Sequence, residues 1–136
     1  MAQPIVYIDR STIRPGKADQ VRAGIERLVE FIEEREPQLV GYEFYFDEAA
    51  HQMTVIAVHP DSESLETHME VGREAFRSFA ELIDLESIHV YGRPSPKVLG
   101  QLEDKLAMLG DGGHVEVHAP QGGFMRLPAM DPASSD

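Results

Sequence analysis

Between Ile5 and Arg93 the chain alternates between a two-residue and a helical hydrophobic period, and the order of those periods leaves few folds open. Ile5 to Ile13 alternates and then turns polar, as a strand does when one face meets a core and the other a pocket. Pro15-Gly16 breaks it. Val21, Ile25, Leu28, Val29 and Ile32 then recur at helical spacing, which predicts a helix from Lys17 to Arg35, closed off by Pro37. Val40, Tyr42, Phe44 and Phe46 form an aromatic strand, Asp47 to Ala50 a turn, and Met53 to His59 the returning arm of a hairpin. Asp61 or Ser62 caps a second helix, whose expected stripe is Leu65, Met69, Phe76, Phe79 and Ile83, with Gly72 tolerating a kink. Ile88 to Arg93 is the fourth strand. This βαββαβ order predicts an α+β fold, a four-stranded antiparallel sheet with two helices on one face. The other face needs a cover, and in a chain of 136 residues the expected cover is a second copy, giving a homodimer through the sheet.

Beyond Arg93, Ser95-Pro96 is a strong helix start, an N-cap followed by proline at the first helical position. Val98, Leu99, Leu102, Leu106 and Leu109 give that helix its apolar stripe, and Gly110 stops it. His114-Val115-Glu116-Val117-His118 alternates as a short strand. From Pro120 the chain is rich in Gly, Pro and Ser, and its last dozen or so residues are expected to be loosely ordered. The division expected is a core over residues 1–93, an extension of the same domain over 94–119, and a tail over 120–136.

Charge and composition exclude several classes of function. The net charge is −12, from 24 acidic and 12 basic residues, with no cluster of Lys or Arg to neutralise phosphates, so no nucleic-acid partner is expected. No run approaches the roughly 18 apolar residues of a membrane span, and the N-terminus lacks a basic start and an apolar signal core. The absence of cysteine removes disulfides, thiolate metal sites and thiol nucleophiles, and fits a reducing, cytoplasmic setting.

Three fragments resemble one family. Val6 to Ile13 with Pro15-Gly16-Lys17 is similar to its opening strand and turn, and Gly41 to Glu48 to its second strand. Ser64-Leu65-Glu66-Thr67-His68-Met69, followed by Phe76 and Phe79, is similar to its second helix. The family is the antibiotic biosynthesis monooxygenase-like group of the dimeric α+β barrel superfamily, and the resemblance spans roughly residues 4–93. It implies a ferredoxin-like protomer, a twin-sheet barrel and a pocket between sheet and helices. It also implies either cofactor-independent oxidation of a small aromatic or quinol-like molecule, or a non-catalytic dimer that binds a small molecule or serves assembly. A haem-degrading branch relies on Asn, Trp and His in its pocket. This chain has no Trp and no Asn, so no haem is expected, nor any other cofactor.

His68 is the candidate catalytic base, because an imidazole at the edge of a buried stripe can take a proton from a bound phenol or quinol; the alternative is a partly buried histidine hydrogen-bonded to backbone or across the dimer. On the fourth strand Ile88 and Val90 share one face, which leaves His89 and Tyr91 pointing the other way; by the same parity Glu43 and Tyr45 join them. Tyr45, His89 and Tyr91 are therefore the expected substrate-binding residues, or else dimer contacts. In His114-Val115-Glu116-Val117-His118 the polar residues share a face. Its terminal histidines lie about 13 Å apart at 3.3 Å per residue, too far for one ion, so no metal site is expected and Val115 and Val117 are placed inward. His51 is read as solvated in a turn and His59 as lacking a companion. No phosphate loop or nucleophile elbow is present.

Overall fold

A computed structural model describes residues 3–127. In chain order it contains β1 (Ile5–Ile13), α1 (Ala18–Arg35), β2 (Gly41–Asp47), β3 (Gln52–His59), α2 (Ser62–Arg77), β4 (Ile83–Tyr91), α3 (Pro96–Leu109) and β5 (His114–His118). The sheet runs β2-β3-β1-β4-β5, antiparallel except for the parallel β4–β5 pair that α3 connects. Helices cover one face, so the predicted α+β class holds, and β5 widens the four-stranded sheet to five. Residues 119–127 form no helix or strand, and the expectation for the last dozen residues falls largely on 128–136, outside the described residues. Among the described residues no helix is long and apolar enough to cross a membrane.

Two expectations about the second helix are corrected. It ends at Arg77, so Phe79 belongs to the following turn and Ile83 opens β4, paired with Ile13. A bulge hid the early half of β4. Arg10 pairs with Ser87 but Ser11 pairs with Leu85, so Glu86 is an extra residue and the inward set Ile83, Leu85, Ile88, Val90 changes parity midway. Gly72 serves packing rather than a kink: the Phe76 ring lies so close over its Cα that any Cβ there would collide with it.

Each strand sends alternate residues to opposite faces. Toward the helices point Ile5, Tyr7, Ile13, Met53, Val55, Ala57, Leu85, Ile88 and Val90, all buried, and they pack against Val21, Leu28, Ile32, Leu65, Met69, Phe76, Leu102 and Leu106 of the helices. The open face presents register-aligned rows that cross the whole sheet, one of them Glu43, Ile56, Ile8, His89 and Glu116.

Candidate functional site

Under the helices the core is not wholly apolar. The parity that buries Ile5, Tyr7 and Ile13 also buries Asp9 and Ser11. Above them α3 inserts Lys105, on the same stripe as Val98, Leu102 and Leu109 and itself only 8% exposed. Its ammonium donates to the Tyr7 hydroxyl at 2.8 Å and to Asp9 Oδ2 at 3.3 Å, while the Tyr7 hydroxyl donates to Asp9. The ammonium also sits 4.4 Å from the centre of the Phe76 ring and 4.9 Å from that of Tyr7, so aromatic faces take the place of water around it. Burial, and then the charge of Asp9, hold the Tyr7 hydroxyl well above its usual range.

A second buried pair lies alongside. Glu36 closes the C-terminal end of α1, its amide donating to Ile32 O, and both its carboxyl oxygens lie 3.0 Å from His68 Nδ1. The His68 ring packs edge-on against Tyr42 at 5.0 Å and tilted against His59 and Phe76, each at 5.3 Å. Burial pushes the Glu36 carboxyl up to about 7. Burial, with the nearby Lys105 charge, brings His68 down to about 3 against the opposing pull of Asp9. Burial thus disfavours the charged form of both groups, and the pair as a whole gives up a proton near pH 7. Above that pH the carboxylate accepts the Nδ1–H and leaves Nε2 as a free lone pair; below it the carboxyl donates to Nδ1 and Nε2 carries the hydrogen. His59 is also neutral, brought down to about 3 by burial and by His68, and its Nδ1 lies 2.8 Å from Ser64 Oγ in the first turn of α2. His59 therefore has the companion that its spacing did not reveal.

Between sheet and helices is a cavity of about 30 Å³ lined by Asp9, Ser11, Tyr42, Phe76 and Lys105 among others. That is room for water, not for an aromatic ring. Ser11 Oγ faces it with no protein hydrogen-bond partner, and His59 Nε2 is likewise buried and unpartnered. Phe76 and Lys105 form its wall on one side and the floor of a groove of about 100 Å³ between α2 and α3 on the other.

The sequence-predicted residues do not converge on this space. His68, 1% exposed on the covered side, does not line the cavity and stands behind Tyr42 and Phe76, which do. Tyr45, His89 and Tyr91 lie on the open face, with the sheet between them and His68, because their strand parity is opposite to that of Tyr42, Ile88 and Val90. His89 and Tyr91 stack with ring centres 6.3 Å apart. Tyr45 sits on β2, separated from β4 by β1 and β3, and is half exposed. One pocket holding all four residues is therefore not formed within a single chain. Asp9, Glu36 and Lys105 were not anticipated. Parity with Tyr7 and stripe spacing with Leu102 carried the signal for the first and last; Glu36, a helix-end residue before a proline, carried none.

No protein-family model matches the chain, and no curated protein sequence matches it. Solved structures do. MupZ from Pseudomonas fluorescens shares 18% identity and superimposes with a TM-score of 0.70 over 91% of this chain and 95% of its own. SnoaB, a cofactor-independent oxygenase from Streptomyces nogalater, shares 15% identity with a TM-score of 0.58 over 69% of this chain and 96% of its own. A Caulobacter crescentus CB15 protein provisionally assigned as an antibiotic biosynthesis monooxygenase shares 12% identity, with a TM-score of 0.58 over 69% and 91% of the two chains. The fold is therefore that of the antibiotic biosynthesis monooxygenase-like proteins. With MupZ the likeness covers more of the chain than residues 1–93 can supply, so it extends into the region of α3 and β5.

Proposed function

We propose that this protein is a monooxygenase-like enzyme that oxidises a small aromatic or quinol-like molecule, without a cofactor, in the space between sheet and helices. The observation that carries the reading is the set of ionisable groups buried there. Burying Glu36, His68, Asp9 and Lys105 costs stability that an apolar core would not lose, and perturbed, paired groups of this kind concentrate at functional sites. His68 is the base. With Glu36 ionised, its carboxylate holds the positive charge of the imidazolium that forms as Nε2 takes the proton of a phenolic hydroxyl, and the resulting anion is electron-rich enough to react with oxygen. The Lys105 ammonium and the Tyr7 hydroxyl supply positive charge and a hydrogen bond toward that anion. Ser11 Oγ is a polar atom free to orient it. Access runs through the groove between α2 and α3 and requires the Phe76 ring to swing aside, since the enclosed volume is water-sized.

The size of that cavity favours a second reading, a non-catalytic dimer that keeps only the fold. Both readings place a second copy over the open sheet face, where Val6, Ile8, Ile56 and Val58 are only partly covered. Tyr45, His89 and Tyr91 then belong to that interface or to the barrel it closes, rather than to the cavity.

Oxygen uptake with a panel of anthrones and reduced naphthoquinones tests the enzyme reading, alongside native mass spectrometry for the dimer. Turnover should rise with pH through about 7, following Glu36. His68→Ala should lower it at least about 100-fold, the usual contribution of a positioned base, while leaving the dimer intact. Glu36→Gln should flatten the rise near pH 7. Undiminished turnover in His68→Ala would remove His68 from the mechanism, and no uptake with any member of the panel would leave the non-catalytic dimer standing.

A further inference from the structure

The open face holds a second group of ionisable residues, built by pairing β4 with β5. In that parallel register His89 lies opposite Glu116, Ser87 opposite His114 and Tyr91 opposite His118. Three side chains converge. Glu116 Oε2 lies 3.3 Å from His89 Nε2 and 3.5 Å from His114 Nε2, and the three donor atoms all fall within 4.8 Å of one another. Two ligands bound at about 2.1 Å to a tetrahedral ion stand about 3.4 Å apart, so both measured edges match those of a coordination polyhedron.

The geometry points to a binding site for a divalent first-row transition-metal ion formed by His89 Nε2, His114 Nε2 and Glu116 Oε2, with His118 as a positioning residue. Two imidazoles and a carboxylate on one side of an ion form a facial set, the donor types that suit Zn²⁺, Co²⁺, Ni²⁺ and Fe²⁺, and leave the remaining positions open. Metal-bound imidazoles usually give their second nitrogen to a hydrogen-bonding partner that fixes the tautomer. His89 has one: its Nδ1 is 2.9 Å from His118 Nε2, and the His118 ring is held by stacking on Tyr91 with centres 4.5 Å apart. In the single chain the ligand side chains are reachable, 27% exposed for His89, 52% for Glu116 and 60% for His114, at the β4–β5 edge of the face that the second copy is proposed to cover. The distance that argues against an ion shared by His114 and His118 does not apply here. The second imidazole comes from the neighbouring strand, and His118 stands behind it rather than in the ligand set.

The test is calorimetric titration of the untagged, chelator-treated full chain with Zn²⁺, run in parallel on variants. One ion per chain is expected, with affinity lowered at least ten-fold in His114→Ala and in Glu116→Gln. His118→Ala should lower it by about 10- to 100-fold, the usual range for a group behind a ligand. His51→Ala, on a turn far along the chain, should change nothing. Because a variant can misfold, the imidazole NMR signals of the unaltered protein supply a second reading: Zn²⁺ should shift those of His89 and His114 and leave those of His51 and His59 in place. No uptake of Zn²⁺, uptake indifferent to both ligand variants, or shifts confined to other histidines would each overturn the site. Oxygen uptake enters none of these readings, so the site and the enzyme proposal fail independently.

Discussion

Val90 and His89 are consecutive in β4 and sit in opposite media. Val90 faces the helices with no exposure, among groups whose protonation is set by burial; His89 faces outward, among residues that water reaches. The same contrast runs through β1, where Asp9 is buried beside Lys105 and Arg10 is exposed. On the covered face a charge must bring its partner with it, because little solvent is left to screen or solvate it. On the open face groups can be gathered by strand register alone and remain weakly coupled to stability. The two faces therefore differ in setting: ionisable groups paired in a low dielectric on one, and groups gathered at the exposed surface of the single chain on the other.

The largest expected effect breaks the covered face. Lys105→Met leaves the Asp9 carboxylate buried with only the Tyr7 hydroxyl, and should cost about 3–5 kcal/mol in urea unfolding. The double variant Asp9→Leu/Lys105→Met should recover most of that loss. A single-variant cost below about 1 kcal/mol would mean that solvent reaches the pair and that the two faces differ less than their burial implies.

Much of this arrangement was legible beforehand, and the failures have physical causes. The strand and helix order followed from hydrophobic period, and the third helix from Ser95-Pro96 and Gly110, because caps and periodicity are local. The start of β4 was misplaced since a bulge reverses parity at Glu86, which no period-two pattern anticipates. His68 was recognisable as an inward histidine on a helix. Its partner Glu36 lies 32 residues away, and only tertiary packing brings them together. Val117 lies opposite Val90 and so shares the helix-facing side as expected, yet it stays 46% exposed, because β5 is a short edge strand with little packed over it. Partners across strands depend on register, which the sequence of one strand does not contain.

An intermediate effect sharpens the contrast through pH. His59 and His68 are held down to about 3, below their usual 6.5, so the stability they contribute is present above pH 6.5 and lost as pH falls toward 3. Glu36 is held up to about 7, above its usual 4.5, so its contribution is present below 4.5 and lost as pH rises through 7. From pH 6.5 to 4.5 two histidines oppose one carboxyl and stability should decline. Below 4.5 only the histidines act and the decline should steepen. Unfolding midpoints measured from pH 8 to 4 check this, and stability that rises as pH falls from 6.5 to 4.5 would show that the buried histidines reach solvent.

The smallest effect belongs to the open face. In the presence of a chelator, Glu116→Gln should change stability by no more than about 0.5 kcal/mol, since it removes only exposed contacts. A larger loss would mean that the open face also holds the fold together.

Gly72 and Phe76 illustrate a constraint of another sort. The aromatic ring occupies the space where a side chain at 72 would begin, so the two positions behave as one heritable unit. A lineage drifting from this sequence must shorten residue 76 before it can lengthen residue 72. The reverse order passes through an intermediate in which the ring that walls the cavity, and holds its face against Lys105 and His68, is forced out of place.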